Sequence, residues 1–290
     1  MAKNLLDGGY PVTVYNRTRE STKPLVSAGA RAAASPRELA ERSDVVITMV
    51  TDSEAVKSVI LGKEGVIRGA PRGALLIDMS TISPKATVEV SVALARRGVS
   101  MIDAPVSGGD TGAKAGTLTI MVGGSARSFE RALPILRVLG RKIVHMGGTG
   151  AGQLAKLSNQ ILVAGNMVGL SECLLFAGKA GLDLGKLIDS LSAGAASSWA
   201  LVNLGPKVVA RDFAPGFRVR LLQKDLGYVV SAAGQVGAPV PLTSLARRLY
   251  KEAEGLGLGE EGTQSLIAAL EHEPVPRRRR RVKNRALSTR

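Results

Sequence analysis

The chain has 290 residues, 45% of them hydrophobic, with 34 glycines and a formal net charge of +15. That length and apolar content suit one large or two moderate folded domains and exclude a chain disordered throughout. Aromatic residues make up 3% and Cys173 is the only cysteine, which argues against a base-stacking nucleic-acid surface and excludes an intrachain disulfide or a CxxC metal site.

In chain order, MAKNLLDGG (residues 1–9) reads as the back half of a helix stopped by Gly8 and Gly9. Strands are then expected at 12–16 (VTVYN), 44–50 (DVVITMV), 74–80 (ALLIDMS), 100–106 (SMIDAPV), 117–124 (TLTIMVGG) and 142–148 (KIVHMGG). Helical patterns fill the intervals at 35–43, 53–61, 83–98 and 125–140, with Ser35, Ser83 and Ser125 placed to cap them. Strands alternating with helices imply parallel βαβ units, and the nearly all-apolar 44–50 and 74–80 suit strands buried on both faces. This first half, residues 1–148, is expected to be an α/β Rossmann-like domain. From 149 to 272 the strand pattern disappears, and a long helix starting near residue 151 leads into an all-α domain. His145 reads as a core histidine, Trp199 as a core anchor and Cys173 as buried packing.

Residues 274–290 carry eight Lys or Arg and no acid, so removing that +8 leaves +7 on the rest. The segment 273–290 reads as a disordered basic tail that could touch nucleic acid or another anionic surface. No His/Cys/Asp cluster has metal spacing, so no metal is expected. No apolar run of the ~18 residues needed for a membrane span stands out and no signal peptide precedes the first strand, which points to a cytoplasmic protein with no membrane contact.

Open α/β sheets bind ligands beyond the carboxyl ends of their strands. The glycine-dense turn 147–152 (GGTGAG) precedes a helix, yet that helix enters an all-α region with no second strand to carry a ribose-binding residue. It reads better as a domain hinge than as a phosphate loop. The first strand ends in Asn16-Arg17-Thr18 with no acid. An acid there favours NAD, whereas Arg17 offers a fork of donors for the extra phosphate of NADP, unless it is simply a solvated surface residue.

Five segments together resemble the β-hydroxyacid dehydrogenase family, which includes 3-hydroxyisobutyrate dehydrogenase and tartronate semialdehyde reductase. They are residues 1–18, 78–84 (DMSTISP), 103–124 (DAPVSGGDTGAKAGTLTIMVGG), 150–160 (GAGQLAKLSNQ) and 221–241, and the similarity runs over roughly residues 1–271. Family members begin with a strand and a G-x-G-x-x-G turn ahead of the MAKNLL helix, and this sequence starts after both. Two readings follow: a start codon placed too far downstream, which is the favoured expectation, or a chain that is truly truncated.

The resemblance implies an NADP-dependent (or NAD-dependent) oxidoreductase interconverting a short β-hydroxy acid and its semialdehyde, assembled as a homodimer or homotetramer. It assigns the acid/base role to Lys156. Lys156, Asn159 and Gln160 fall at i, i+3 and i+4 on one helix face, so Asn159 can orient the lysine or the substrate hydroxyl. Ser107, Gly108 and Gly109 resemble the loop that receives the substrate carboxylate, with Gln160 beside the substrate. For the cofactor, the resemblance implies Asn16, Arg17, Thr18, Val50, Thr51, Thr81 and Lys224. Lys224 and Asp225 would close over the cofactor or form an ordinary surface salt bridge. Val50-Thr51-Asp52 departs from the proline-containing turn usual in the family. Two enzyme readings fit less well: 6-phosphogluconate dehydrogenase, whose expected histidine is Gln153 here, and imine reductases, which generally lack the lysine. Outside catalysis, a dehydrogenase-like scaffold without cofactor could use its basic tail to bind nucleic acid or a protein.

Overall fold

The computed structural model describes residues 1–272; the basic tail expected at 273–290 lies outside the described residues. The chain opens with α1 (Ala2–Asp7), which ends where Gly9 takes φ +82°, a left-handed turn open to glycine. Then come β1 (Thr13–Val14), α2 (Lys23–Ser27), β2 (Arg31–Ala32) and α3 (Pro36–Glu41). Among the described residues β1 pairs in parallel with β2 alone, as a two-stranded sheet with no strand pairing to the larger one. The five-residue strand expected at 12–16 is therefore a two-residue strand, and its short exposed partner β2 has no apolar run to announce it.

The main sheet is built from β3 (Val45–Thr48), β4 (Leu75–Asp78), β5 (Ser100–Asp103), β6 (Val106–Ser107), β7 (Leu118–Gly123) and β8 (Gly140–Gly147). Between them run α4 (Ser53–Leu61), α5 (Val66–Gly69), α6 (Pro84–Ala95), α7 (Gly109–Ala115) and α8 (Ala126–Leu139). β3, β4 and β5 are parallel neighbours, with Thr48, Asp78 and Asp103 in register at their carboxyl ends. Alternate residues face opposite ways: Leu75, Ile77 and Ile102 enter one core with α8, while Val46, Leu76 and Met101 enter another with α4 and α6. The all-parallel expectation is corrected at β7, which runs antiparallel to β5 and β6 while β8 follows it in parallel. Only ten residues separate β6 from β7, too few for a parallel crossover.

The second half comprises α9 (Ala151–Lys179), α10 (Leu184–Ser192), α11 (Trp199–Val209), α12 (Val219–Val236), α13 (Pro241–Gly255) and α14 (Leu266–His272). One apolar core unites them, with Met167, Leu201, Leu222, Leu226, Tyr250 and Leu266 all buried. α9 is the shared member: its start packs on β5, β7 and β8, and its remainder on α10 to α14.

Local chemistry explains most boundaries. Ser35 and Ser125 accept hydrogen bonds from the amides of Glu38 and Ser128 and so cap α3 and α8, as do Asp52, Asp183 and Ser198 for α4, α10 and α11. Ser83 makes no such bond; its own amide instead donates to Ser53 Oγ across the cleft at 3.1 Å. Trp199 is not a core anchor, since it is 71% exposed at the start of α11. His145 is also exposed, stacked on Phe129 with its Nε2 2.8 Å from Gly124 O, and Cys173 is half-buried. By length and composition α9 is apolar enough to cross a membrane, with a window of mean hydropathy 1.7, a feature that scanning for unbroken apolar runs misses. Its buried Gln153, Lys156 and Gln160, and its packing on β5, β7, β8 and α10 to α14, suit a core helix with one face exposed.

Candidate active site

The carboxyl ends of β3, β4 and β5 meet the amino end of α9 in a layer of buried polar groups. Asp78 Oδ1 accepts from Thr48 Oγ1 at 2.8 Å and from the Ser80 amide at 3.2 Å, while its Oδ2 has no hydrogen-bond partner among the described residues. Burial pushes the Asp78 carboxyl up to about 6, against the pull of the Ser80 and Thr48 hydrogen bonds. Asp103, also fully buried, accepts from the amides of Gly150 (2.8 Å) and Gln153 (2.9 Å). Burial raises its pKa and those amides oppose the rise. The Gln153 side chain joins the layer to the next loop: its Nε2 donates to Ser80 O at 2.8 Å and its Oε1 accepts from the Ile82 amide at 3.1 Å. Asp103 thus holds the Gly150 amide within the glycine turn 147–152 and the Gln153 amide just after it, which ties the start of α9 to the end of β5.

One turn beyond Gln153 lies Lys156, 8% exposed. Burial lowers its ammonium pKa to about 8, helped by the nearby Lys224 charge and opposed by that of Asp225. Asp225, on α12, is 2% exposed. It accepts from Gln160 Nε2 at 2.6 Å and pairs with Lys224 Nζ at 3.0 Å, an ion pair whose acid is buried and whose lysine is half-buried. Burial raises the Asp225 pKa, and the two lysines and Gln160 counter that rise. Asn159 donates to Gln160 Oε1 at 2.9 Å, which completes a line from Asn159 through Gln160 and Asp225 to Lys224.

Lys224 also bridges the two halves. Its Nζ donates to Thr51 O at 2.6 Å and to Thr81 O at 2.7 Å, and lies 5.2 Å from the centre of the Tyr228 ring. One turn on, the Tyr228 hydroxyl accepts from the amide and hydroxyl of Ser53 at 3.1 and 3.0 Å. The Val50 amide donates to Ser80 Oγ at 2.9 Å. Of the residues expected from the sequence, the structure therefore brings together Val50, Thr51, Thr81 and Lys224 at the strand ends, and Lys156, Asn159 and Gln160 on the facing helix. Asn16, Arg17 and Thr18 are exposed beyond β1 in the separate small sheet, with no direct bond to this group. Ser107 ends β6, and Gly108 and Gly109 follow at φ +133° and +61°. A Cβ on Gly109 would lie 3.9 Å from Gly216 O, so this loop approaches the helical half.

Asp78, Asp103, Ser53 and Tyr228 are not among the site residues expected from the sequence. The signal for the two acids was present, as each is a lone carboxylate closing an otherwise apolar strand. Ser53 and Tyr228 carry none, because their pairing spans 175 residues.

Asn16, Arg17 and Thr18 stand exposed beyond β1, and at the ends of the larger sheet Lys224 ties the Thr51 and Thr81 loops together through their carbonyls. Strand ends of an open α/β sheet that meet an all-helical domain carrying a buried lysine suit the two-domain plan of a nicotinamide-dependent dehydrogenase. Comparison with known proteins places it further. Residues 1–148 match the NAD binding domain of 6-phosphogluconate dehydrogenase, and residues 150–270 match the NAD-binding domain of NADP-dependent 3-hydroxyisobutyrate dehydrogenase. The chain is 40% identical to 3-hydroxyisobutyrate dehydrogenase of Pseudomonas aeruginosa, over 92% of this chain and 93% of that one. It is 42% identical to probable 3-hydroxyisobutyrate dehydrogenase-like 1, mitochondrial, of Arabidopsis thaliana, over 93% and 81%. The crystal structure of 3-hydroxyisobutyrate dehydrogenase from Salmonella typhimurium superposes with a TM-score of 0.84 at 31% identity, covering 92% of this chain and 94% of that one. The chain belongs to the β-hydroxyacid dehydrogenase family, and is an NAD(P)-dependent oxidoreductase.

One consequence of the buried layer is measurable. Asp78 has its folded pKa raised from 3.8 to about 6, so its protonated form stabilises the fold below pH 4 and that stabilisation is lost as pH rises through about 6. Asp78→Asn cannot ionise. Its stability relative to wild type should improve by about 2–3 kcal/mol between pH 4 and pH 7. Urea unfolding of both proteins at the two pH values checks this, and a pH-independent difference would refute it.

Proposed function

We propose that this protein interconverts a short β-hydroxy acid and its semialdehyde with NADP(H), and that Lys156 moves the hydroxyl proton. The observation that carries the reading is the burial of Lys156 with its pKa brought down to about 8. There an amine exchanges protons efficiently near neutral pH. The names of the relatives support a β-hydroxy acid such as 3-hydroxyisobutyrate as substrate.

When bound, the nicotinamide supplies the hydride acceptor or donor. The chain's residues do the rest. Lys156 Nζ takes the hydroxyl proton in oxidation and returns it in reduction. Asp225 holds the cationic form, and Lys224 beside it keeps that form from becoming too stable. Asn159, fixed through Gln160, orients the hydroxyl, while Gln160 borders the substrate. Ser107 and the glycine backbone at 108 and 109 receive the substrate carboxylate. Val50, Thr51 and Thr81 line the nicotinamide side, and Lys224 fastens both loops. Exposed apolar side chains on the helical half, including Leu162, Phe176, Trp199 and Leu242, support a homodimer or homotetramer joined through these helices. The organisation is a cofactor domain over 1–148 and an all-α domain over 149–272, in a cytoplasmic enzyme.

Arg17 and Asn16 select NADP by binding the ribose phosphate. Arg17→Glu should weaken NADPH binding by about 10- to 100-fold, the worth of one or two charged hydrogen bonds, while NADH changes little. Fluorescence titration with both nucleotides tests this, and equal losses for the two would remove Arg17 from phosphate recognition. Oxidation of 3-hydroxyisobutyrate with NADP tests the activity itself.

A further inference from the structure

The helix that carries Lys156 begins without a cap of its own. Gly150 occupies the N-cap position of α9 and offers no side chain. The carboxylate that satisfies the first-turn amides comes from Asp103, 47 residues before Gly150 and at the end of a different element. A local cap stabilises a helix wherever the helix happens to lie. A cap supplied by the sheet ties the helix to one place.

The contact is close enough to be specific. A methyl group on Gly123 would lie 2.6 Å from Asp103 Oδ1 and 2.7 Å from the Gly152 amide nitrogen. One on Gly152 would lie 2.5 Å from Met121 O and 2.7 Å from Asp103 O. Both glycines are thus required for the first turn of α9 to rest directly on β5 and β7. From there a closed circuit of polar contacts runs through the site. Asp103 holds the Gln153 amide, and the Gln153 side chain holds Ser80 and Ile82. The Thr81 carbonyl between them holds Lys224, which pairs with Asp225, and Asp225 returns to α9 at Gln160. Lys156 lies between the two points, 153 and 160, at which the circuit grips the helix.

We propose that Asp103 is the positioning residue for Lys156: by gripping the first turn of α9 from the end of β5, it sets where the lysine amine stands in the cleft. This rests on the reading of Lys156 as the proton carrier. Asp103 touches no substrate and acts only through the helix. Asp103→Asn keeps the shape but turns a donor toward amides that need an acceptor. The first turn should lift, and Lys156 should lose its setting between the strand ends and Asp225.

The test reads Lys156 directly. Competitive acetylation at a series of pH values, followed by peptide mass spectrometry, gives its titration midpoint whether or not the protein turns over. Wild type should show a midpoint near 8. Asp103→Asn should move it upward by about a unit or more as the amine meets water. Turnover of 3-hydroxyisobutyrate with NADP should fall by about 10- to 100-fold at an unchanged KM for NADP, the cost of a displacement of about 1 Å. Circular dichroism establishes that the variant is folded, and Asp103→Ser, whose single short hydroxyl cannot hold both amides, replaces it if it is not. A folded variant with an unmoved midpoint overturns the proposal. A wild-type Lys156 that labels like an exposed lysine overturns it too, but at an earlier step, by removing the proton-carrier reading itself.

Discussion

Lys156→Met should reduce turnover by about 10²- to 10⁴-fold, the usual worth of a positioned acid/base, while leaving the dissociation constant of NADPH within about twofold of wild type. In wild type, oxidation needs the neutral amine, so its rate should rise through a pH near 8. Reduction needs the ammonium, so its rate should fall through the same pH. The variant should lose both limbs. Stability should move the other way. The folded pKa of Lys156 lies below its ordinary 10.5, so the neutral amine stabilises the fold above 10.5 and that stabilisation is lost as pH falls through about 8. Methionine carries no such burden and should gain about 2–3 kcal/mol relative to wild type between pH 10.5 and pH 7. Steady-state kinetics across pH 6–10 and urea unfolding at both ends decide the matter. A variant that keeps a tenth of its activity would exclude Lys156 as the proton carrier.

Leu226→Ala should cost about 2–5 kcal/mol, the range for removing a fully buried leucine from a packed core. Leu226 has no exposed surface and lies beside Asp225 on α12, in the core shared by α9, α11, α13 and α14. The cavity would loosen the helix that brings Asp225 and Lys224 to the site. Denaturant unfolding followed by circular dichroism measures the loss. A cost under 1 kcal/mol would mean that this core is not packed as described.

Much of the α/β half is legible in the residues. Strands such as 74–80 announce themselves by apolar content, since they are buried on both faces. Ser35 and Ser125 mark helix starts because capping is a short-range bond. The change from strands to helices near residue 149 is equally plain. β2 and β6 are not legible: each has two residues, and a strand that short is defined by its partner alone. The antiparallel direction of β7 depends on how far ten residues can reach, which periodicity does not report. Trp199 misleads because the size of a side chain does not say which way its helix faces.

The site divides in the same way. Lys156, Asn159 and Gln160 share a helix face by spacing, and the strand-end positions of Thr51, Thr81 and Ser107 follow from the strand pattern. Those relations are local, so the sequence by itself determined them, except that Ser107 ends β6, a strand that only its pairing with β7 defines. That Lys156 is buried, that its amine is pulled toward neutrality, and that Asp225 is buried in its pair with Lys224 all depend on α12 being laid against α9. Asp103 and Gly150 are 47 residues apart in the chain and 2.8 Å apart in the fold. Desolvation and hydrogen bonding act through space over a few ångströms, and only the tertiary structure decides which groups come that close.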